Sequence, residues 1–359
     1  MKFLKNRNKS IALFLPRFHT NLYGIIDYLL KKNVNVKVFS FNKSIIENYK
    51  LIKPAKIPTR KIKLFNHQIN FFKYFKLLSY LKNKKYNLII IRLHDFKSYF
   101  LLPILLKSLN INFLFYTQTN LEYLYNLNSL KFIKYFIFLN FFKTKILTPV
   151  FDQKKIKTNK YFLPFPFLIK MKKQITKQTG YLKILCIAKY KKRKNILFLI
   201  KVLTNLDIKF KLIVIGEKTN KNHIYTYNEI RKFLLEQKLK DKVILKSNVK
   251  NKNINKYYNW CDFFVLPSTK EPAAISPLEA LSFRKPVICS SNNGTKYYIN
   301  HNFNGYIFDD GNYKSLRNYI QKMSFNYKRF QKNLNLIKDN FLNENILNKI
   351  NRKILKIEI

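Results

Sequence analysis

The sequence predicts an α/β protein made of two doubly wound, Rossmann-like domains that face an interdomain cleft. Three observations carry this expectation. Short apolar runs of strand length alternate with stretches of helical periodicity, the pattern of parallel strands joined by crossover helices. The alternation breaks once, between Tyr161 and Gly180, where Pro164, Pro166 and a polar stretch read as a linker. A length of 359 residues allows two domains, each with its own core. The expected boundaries are 1–170, 171–325, and a helical segment over 326–359 packing back on the first domain.

In the first domain, Ser10–Leu15 reads as a strand, Leu22–Lys32 as a helix and Val34–Phe41 as the next strand. Asn87–Arg92 then reads as a buried strand, Phe100–Leu109 as a helix and Asn112–Thr117 as a strand. Phe132–Phe142 is helix-like, and Lys145–Pro149 is a short strand. The second domain restarts with strand Leu182–Ala188, helix Asn195–Thr204 and strand Phe210–Ile215. Helix Tyr225–Gln237, strand Val243–Leu245, helix Ile254–Trp260 and strand Asp262–Leu266 follow. Helix Ser276–Phe283, strand Pro286–Ser290, helix Thr295–Asn300, strand Tyr306–Phe308 and helix Tyr313–Lys322 complete it. Such units bind ligands at the carboxyl ends of their strands.

The formal net charge of +52 is diffuse: residues 1–170 hold 32 basic and 5 acidic side chains, and residues 171–359 hold 38 and 13. Of the 70 basic residues 60 are Lys, whereas base and phosphate readout favours the Arg fork. Asn, Ile, Phe and Tyr are also abundant, the residues of A/T-rich codons. Composition therefore accounts for the charge, and nucleic acid is not the expected partner. Three cysteines, Cys186, Cys261 and Cys289, give no disulfide framework and suit a reducing cytosol. The apolar run Ile11–Leu15 is too short for a signal peptide, and no run reaches the length of a membrane-spanning helix. Thr59–Tyr86 interleaves Lys with aromatic residues. A helix there places Phe71, Phe72, Phe75, Leu78 and Leu81 on one face, either against an anionic membrane interface or against the protein core.

Scarcity marks the functional region. The chain has 11 Pro and only 6 Ala, yet Pro267–Pro286 contains four of the Pro and three of the Ala. It also holds two of the 18 acids, Glu271 and Glu279. Ala273 and Ala274 let backbone approach a ligand closely. Ile275 and Ser276 open a helix whose N–H groups suit a phosphate, and Ser276, Pro277 and Glu279 together form a helix-start signature. Gly216 ends a strand at a position that needs a bare backbone. The adjacent acids Asp309 and Asp310 before Gly311 read as a turn, and no metal is expected.

This window resembles the E-x7-E element of glycosyltransferase family 4, the retaining sugar-nucleotide transferases of GT-B fold. The resemblance covers about Leu182–Ile320 well and residues 10–150 loosely. The segment Ala188–Asn195 is similar to the family's Gly-Arg…Lys-Gly segment, with Lys189 and Lys194 in the places of its diphosphate-binding cations. Leu212–Glu217 resembles the strand-Gly element near the nucleotide, and Trp260–Ser268 the strand before the motif. Asn293-Gly294 and Asn304-Gly305 resemble later Gly turns. The resemblance implies that Glu271 holds the transferred sugar and Glu279 the ribose, while the helix start at Ala274, Ile275 and Ser276 suits the phosphates. In the first domain Gln118 or Thr119, within Thr117–Thr119, stands where the family has a sugar-contacting His. His94 is the alternative, as a sugar contact or a structural loop residue; His19 and Asn21 resemble the loop near the acceptor.

The resemblance further implies a cytosolic enzyme, peripheral on the inner face of the cell membrane. It would take a nucleoside-diphosphate sugar as donor and need no metal or other cofactor. The acceptor would be a lipopolysaccharide, capsular or lipid-linked glycan. A sugar-nucleotide epimerase or sugar phosphorylase on the same scaffold is the alternative, and a basic nucleic-acid-binding protein a second one.

Overall fold

A computed structural model describes the backbone of residues 180–336 throughout. Before them it describes 10–17, 33–42, 55–56, 59–64, 67–72, 74–84, 86–92, 101–118, 141–142, 146–148 and 160–162, with residues 22, 26, 29 and 30. The chain divides into two compact units, Met1–Pro166 with Asn343–Ile359, and Phe167–Leu342. Each is an α/β unit on a parallel sheet, as the sequence predicts.

The first unit contains a seven-stranded sheet in the order β3-β2-β1-β6-β7-β8-β9. Its strands are β1 (Ser10–Arg17), β2 (Asn35–Asn42), β3 (Ala55–Lys56), β6 (Leu88–Arg92), β7 (Phe113–Tyr116), β8 (Ile146–Thr148) and β9 (Lys160–Phe162). All its pairings are parallel. Continuous apolar runs build the middle strands because helices cover both faces of a parallel sheet. Ala12, Phe14, Ile89, Ile91 and Phe115 accordingly share one core cluster with Leu102 and Leu106 of the Leu101–Ser108 helix.

Two expectations for this unit are corrected. The stretch read as one amphipathic helix forms an antiparallel hairpin, β4 (Thr59–Leu64) with β5 (His67–Phe72), followed by a helix over Tyr74–Lys84. Phe71 and Phe72 are therefore strand residues. Alternating Lys and apolar side chains satisfy period 2 as well as period 3.6, and hairpin pairing wins. The helix that remains turns Leu77 and Leu81 into the core and leaves Lys82 and Lys84 exposed, the core-facing arrangement. In addition, Lys160–Phe162 is the last sheet strand, so ordered structure reaches into the stretch read as a linker.

The second unit has six parallel strands in the order β12-β11-β10-β13-β14-β15. They are β10 (Leu182–Ile187), β11 (Phe210–Gly216), β12 (Val243–Ser247), β13 (Phe263–Leu266), β14 (Val287–Ser290) and β15 (Gly305–Phe308). The order reverses direction between β10 and β13, which pair through Ile184 with Phe263 and Leu185 with Phe264. Chain leaving β10 passes to one side and chain leaving β13 to the other, which opens a crevice at their carboxyl ends. Buried Ile184, Cys186, Leu212, Val214, Phe264 and Ile288 form the sheet core. Burial pushes each of the three thiols up to about 12, so none supplies a thiolate nucleophile at neutral pH.

The helix expected over Thr295–Asn300 is only a 3-10 turn at Lys296–Tyr298. The final described helix runs unbroken from Tyr313 to Leu336 and crosses the boundary expected at 325/326. Leu316, Ile320, Met323, Phe330 and Leu334 are buried along it, a helical repeat that carries it onto the second unit's core. Gly305 opens β15 rather than forming a turn. A Cβ there would lie 2.1 Å from the Val287 carbonyl oxygen.

Candidate active site

The site is assembled at the carboxyl edge of the second sheet. After β10 the chain passes Ala188 and Lys189 and closes a 3-10 turn over Lys192–Lys194. Asn195 then takes a left-handed backbone, φ 52°, before the helix Ile196–Thr204. This reversal buries Lys194 at 7% exposure and leaves Arg193 partly open. After β13, Lys270 is also left-handed, φ 46°, and delivers Glu271 inward at 8% exposure. A lysine in that region costs about 1–2 kcal/mol, strain of the kind that gathers at functional sites.

The two loops meet. Lys194 Nζ contacts Glu271 Oε2, and Arg193 Nη1 donates to the same oxygen at 2.7 Å. Backbone stitches fix the approach: the Thr269 N–H donates to the Arg193 carbonyl at 2.9 Å, and the Glu271 N–H to that of Asn292 at 3.0 Å. Among the described residues, only Oε2 of Glu271 is engaged by a side chain. Burial pulls the Lys194 ammonium below its ordinary value, and the Glu271 carboxylate opposes that pull. A buried acid held by two cations offers both an acceptor for hydroxyls and donors for an anion.

Lys189 does not join this cluster. Its Nζ pairs with Glu217 Oε2 at 2.5 Å, across the ends of β10 and β11. Burial would raise the Glu217 carboxyl, but hydrogen bonds from Lys189 and Thr219 hold it below its ordinary value. Gly216 has a different reason from the one expected. A Cβ there would lie 2.5 Å from the Ala188 carbonyl oxygen and 2.7 Å from the Tyr190 ring. The bare backbone therefore accommodates the protein's own loop.

The helix Ser276–Ser282 begins at Ile275, with buried Ala274 before it and no side-chain cap. The Ser276 hydroxyl donates to the Ile187 carbonyl at 2.9 Å, so it ties the helix start to the end of β10 instead of capping. The half-buried Glu279 accepts from the Tyr258 hydroxyl at 2.6 Å. Its carboxyl is raised by burial, against which the Tyr258 hydrogen bond acts.

Lys194 and Glu271 are thus brought together, Lys189 is held by Glu217, and Glu279 sits one turn inside the helix. Arg193, Glu217 and Tyr258 stand outside the residues singled out from sequence. Arg193 was detectable as one of few arginines beside Lys194, and Glu217 as a rare acid. Tyr258 carried no signal among 24 tyrosines. In the first unit Gln118 Oε1 accepts from Arg92 Nη2 at 2.5 Å, and its Nε2 donates to the Tyr116 hydroxyl at 3.2 Å. Thr117 is buried. His94, Thr119, His19 and Asn21 lie outside the described residues.

Residues 169–338 match the family model described as Glycosyl transferases group 1. No curated protein matches the chain significantly. Among solved structures, a glycosyltransferase from Rickettsia africae superposes with a TM-score of 0.75 at 15% identity, covering 98% of this chain and 99% of its own. HepE from Anabaena, in complex with UDP-glucose, gives 0.75 at 14% identity, covering 97% and 99%. TarM from S. aureus, in complex with UDP among other ligands, gives 0.68 at 13% identity, covering 97% and 99%. These likenesses establish the fold, and the family match lies on the unit that holds the Lys194–Glu271 pair. The second unit matches a glycosyl transferases group 1 model, the two parallel-sheet units match GT-B glycosyltransferase structures, and together these findings indicate a glycosyltransferase enzyme.

Proposed function

We propose that the protein is a retaining, metal-independent glycosyltransferase that moves a sugar from a nucleoside diphosphate to a lipopolysaccharide, capsular or lipid-linked glycan. The single observation behind this reading is the buried Lys194–Glu271 pair, with Arg193, at the point where the second sheet reverses direction. The UDP and UDP-glucose bound by HepE, and the glycan ligand and UDP bound by TarM, support a nucleotide donor and a glycan acceptor.

In this reading the donor diphosphate takes over Lys194 and Lys189, whose charge stabilises the phosphate as the bond to the sugar breaks. Glu271, released from its cations, accepts hydrogen bonds from sugar hydroxyls, and Glu279 does the same for the ribose. The start of the Ser276–Ser282 helix, with Ala274, lies against the phosphates. No protein nucleophile is required: the leaving phosphate takes the proton of the acceptor hydroxyl, which attacks from the same face of the sugar. Catalysis is then positioning and charge stabilisation. The first unit takes the acceptor, and the diffuse basic surface favours the anionic inner face of a cell membrane.

The test is transfer from UDP-, GDP- and ADP-sugars to lipid-linked or lipopolysaccharide acceptors, with the anomeric configuration of the product read by NMR. Retention, and loss of transfer in Glu271→Ala, are expected. An inverted product, or unchanged transfer by Glu271→Ala, overturns the reading.

A further inference from the structure

The hydroxyl of Tyr258 lies 2.6 Å from Glu279 Oε2 and 3.2 Å from the Ser276 carbonyl oxygen. A phenol has one proton to give, and the shorter contact to a charged acceptor takes it. The ring is fixed. Tyr258 is 1% exposed, stacks on Phe283 with centroids 5.1 Å apart and planes at 15°, and leans on Phe264 at 6.1 Å. Among the described residues, Glu279 Oε1 has no partner. The carboxylate is thus gripped by one oxygen from the helix Asn255–Trp260, while its own backbone is held by the helix start that Ser276 ties to β10.

We propose that Tyr258 is a positioning residue for donor binding: its hydroxyl orients the Glu279 carboxylate so that Oε1 is presented to the hydroxyls of the donor ribose. This rests on the reading that Glu279 takes the ribose. The grip is an asymmetric clamp. A carboxylate free to rotate about its last bond would offer either oxygen to the nucleotide; one already committed to Tyr258 offers one, in one orientation, at no further entropic cost on binding. The phenol remains a donor throughout the neutral range, since burial raises it well above its ordinary value and Glu279 raises it further. Among the described residues, the titratable groups that act on this pair are the buried thiols Cys186, on β10, and Cys261, after the Tyr258 helix. Both stay protonated near neutrality and leave the carboxylate as the one charge in the clamp.

Tyr258→Phe keeps the stacked ring and removes the hydroxyl. The measurement is calorimetric binding of UDP, with GDP and ADP alongside, to wild type and variant from about pH 4.5 to pH 8. The expected result is nucleotide binding about tenfold weaker at neutral pH, the scale of one hydrogen bond to a charged group. The acid limb of binding should also move to higher pH, because the Tyr258 hydrogen bond lowers the Glu279 carboxyl. Inorganic pyrophosphate, which has no ribose, should bind both proteins equally. In a Glu279→Gln background the added Tyr258→Phe change should cost nothing more. A stronger phenol donor, 3-fluorotyrosine placed at 258, retains ring and hydroxyl and should move the acid limb the other way. That arm decides the matter if Tyr258→Phe does not fold.

Equal affinity and an unmoved acid limb in Tyr258→Phe or the fluorotyrosine protein overturn the proposal. So does a loss that persists in the Glu279→Gln background or extends to pyrophosphate, since that would mark Tyr258 as packing only. Failure of wild type to bind any of the three nucleotides instead overturns the donor reading on which the proposal rests.

Discussion

Removing one member of the Lys194–Glu271 pair should harm the fold more than removing both. Glu271→Gln leaves Lys194, 7% exposed, without its acid. Breaking a buried ion pair by deleting one partner costs about 3–5 kcal/mol, because a charge is stranded away from water. Burial already pulls the Lys194 ammonium down, so the amine can shed its proton instead of staying charged, which places the loss near 3 kcal/mol. Lys194→Met costs less. Glu271 keeps Arg193 at 2.7 Å, which lies partly open to water, and the loss is about 1.5 kcal/mol, one hydrogen bond to a charged group. The double variant strands no charge and should lie within about 1 kcal/mol of wild type. At about 2–4 °C per kcal/mol for a unit of this size, Glu271→Gln melts roughly 6–12 °C lower, and the double variant recovers most of that. The assay is urea and thermal unfolding of the four proteins, with sugar transfer measured in parallel. Transfer should be lost in all three variants, although the double variant is stable. Additive stability losses, or a Glu271→Gln protein as stable as wild type, would refute the argument.

Gly216→Ala should destabilise the second unit by about 1–3 kcal/mol, because its methyl group meets the Ala188 carbonyl oxygen at 2.5 Å; a melting curve checks this. Ser276→Ala, which frees the helix start from Ile187, should cost about 1 kcal/mol in unfolding experiments and weaken nucleotide binding in calorimetry. Glu279→Gln should raise stability at neutral pH while lowering donor affinity. The folded-state carboxyl is raised by burial, so its favourable contribution is complete below the ordinary carboxyl value and is lost as pH rises through the raised one. The stability advantage of Glu279→Gln should therefore vanish below about pH 4, in melts taken across pH.

The strands of the second unit were legible to within a residue or two, because largely apolar runs of strand length, bounded by polar turns, alternate there with helical patterns. The hairpin Thr59–Leu64 with His67–Phe72 was not legible. Lys alternating with Phe, Ile and Leu satisfies both periodicities, and only pairing between strands decides. The last helix outran its expected end at Lys322 because Asn- and Lys-rich turns hide the buried Met323, Phe330 and Leu334. At the site, Glu271 could be picked out because acids, Pro and Ala are rare enough here for a cluster to be noticed, whereas Lys194, one of 60 Lys, stood out through the resemblance alone. Their pairing could not be read, since 77 residues separate them and the crevice between β10 and β13 brings them together. Tyr258 is the sharper case: its partner lies 21 residues away, and nothing in the local sequence distinguishes it from the other tyrosines.

The most direct test of the central claim is a crystal structure of the protein grown with UDP, GDP or ADP, whichever calorimetry shows to bind. The account predicts a diphosphate at the carboxyl ends of β10 and β13, with Lys194 Nζ turned from Glu271 to a phosphate oxygen and Glu279 on the ribose. A nucleotide bound elsewhere, with the Lys194–Glu271 pair intact, would contradict it.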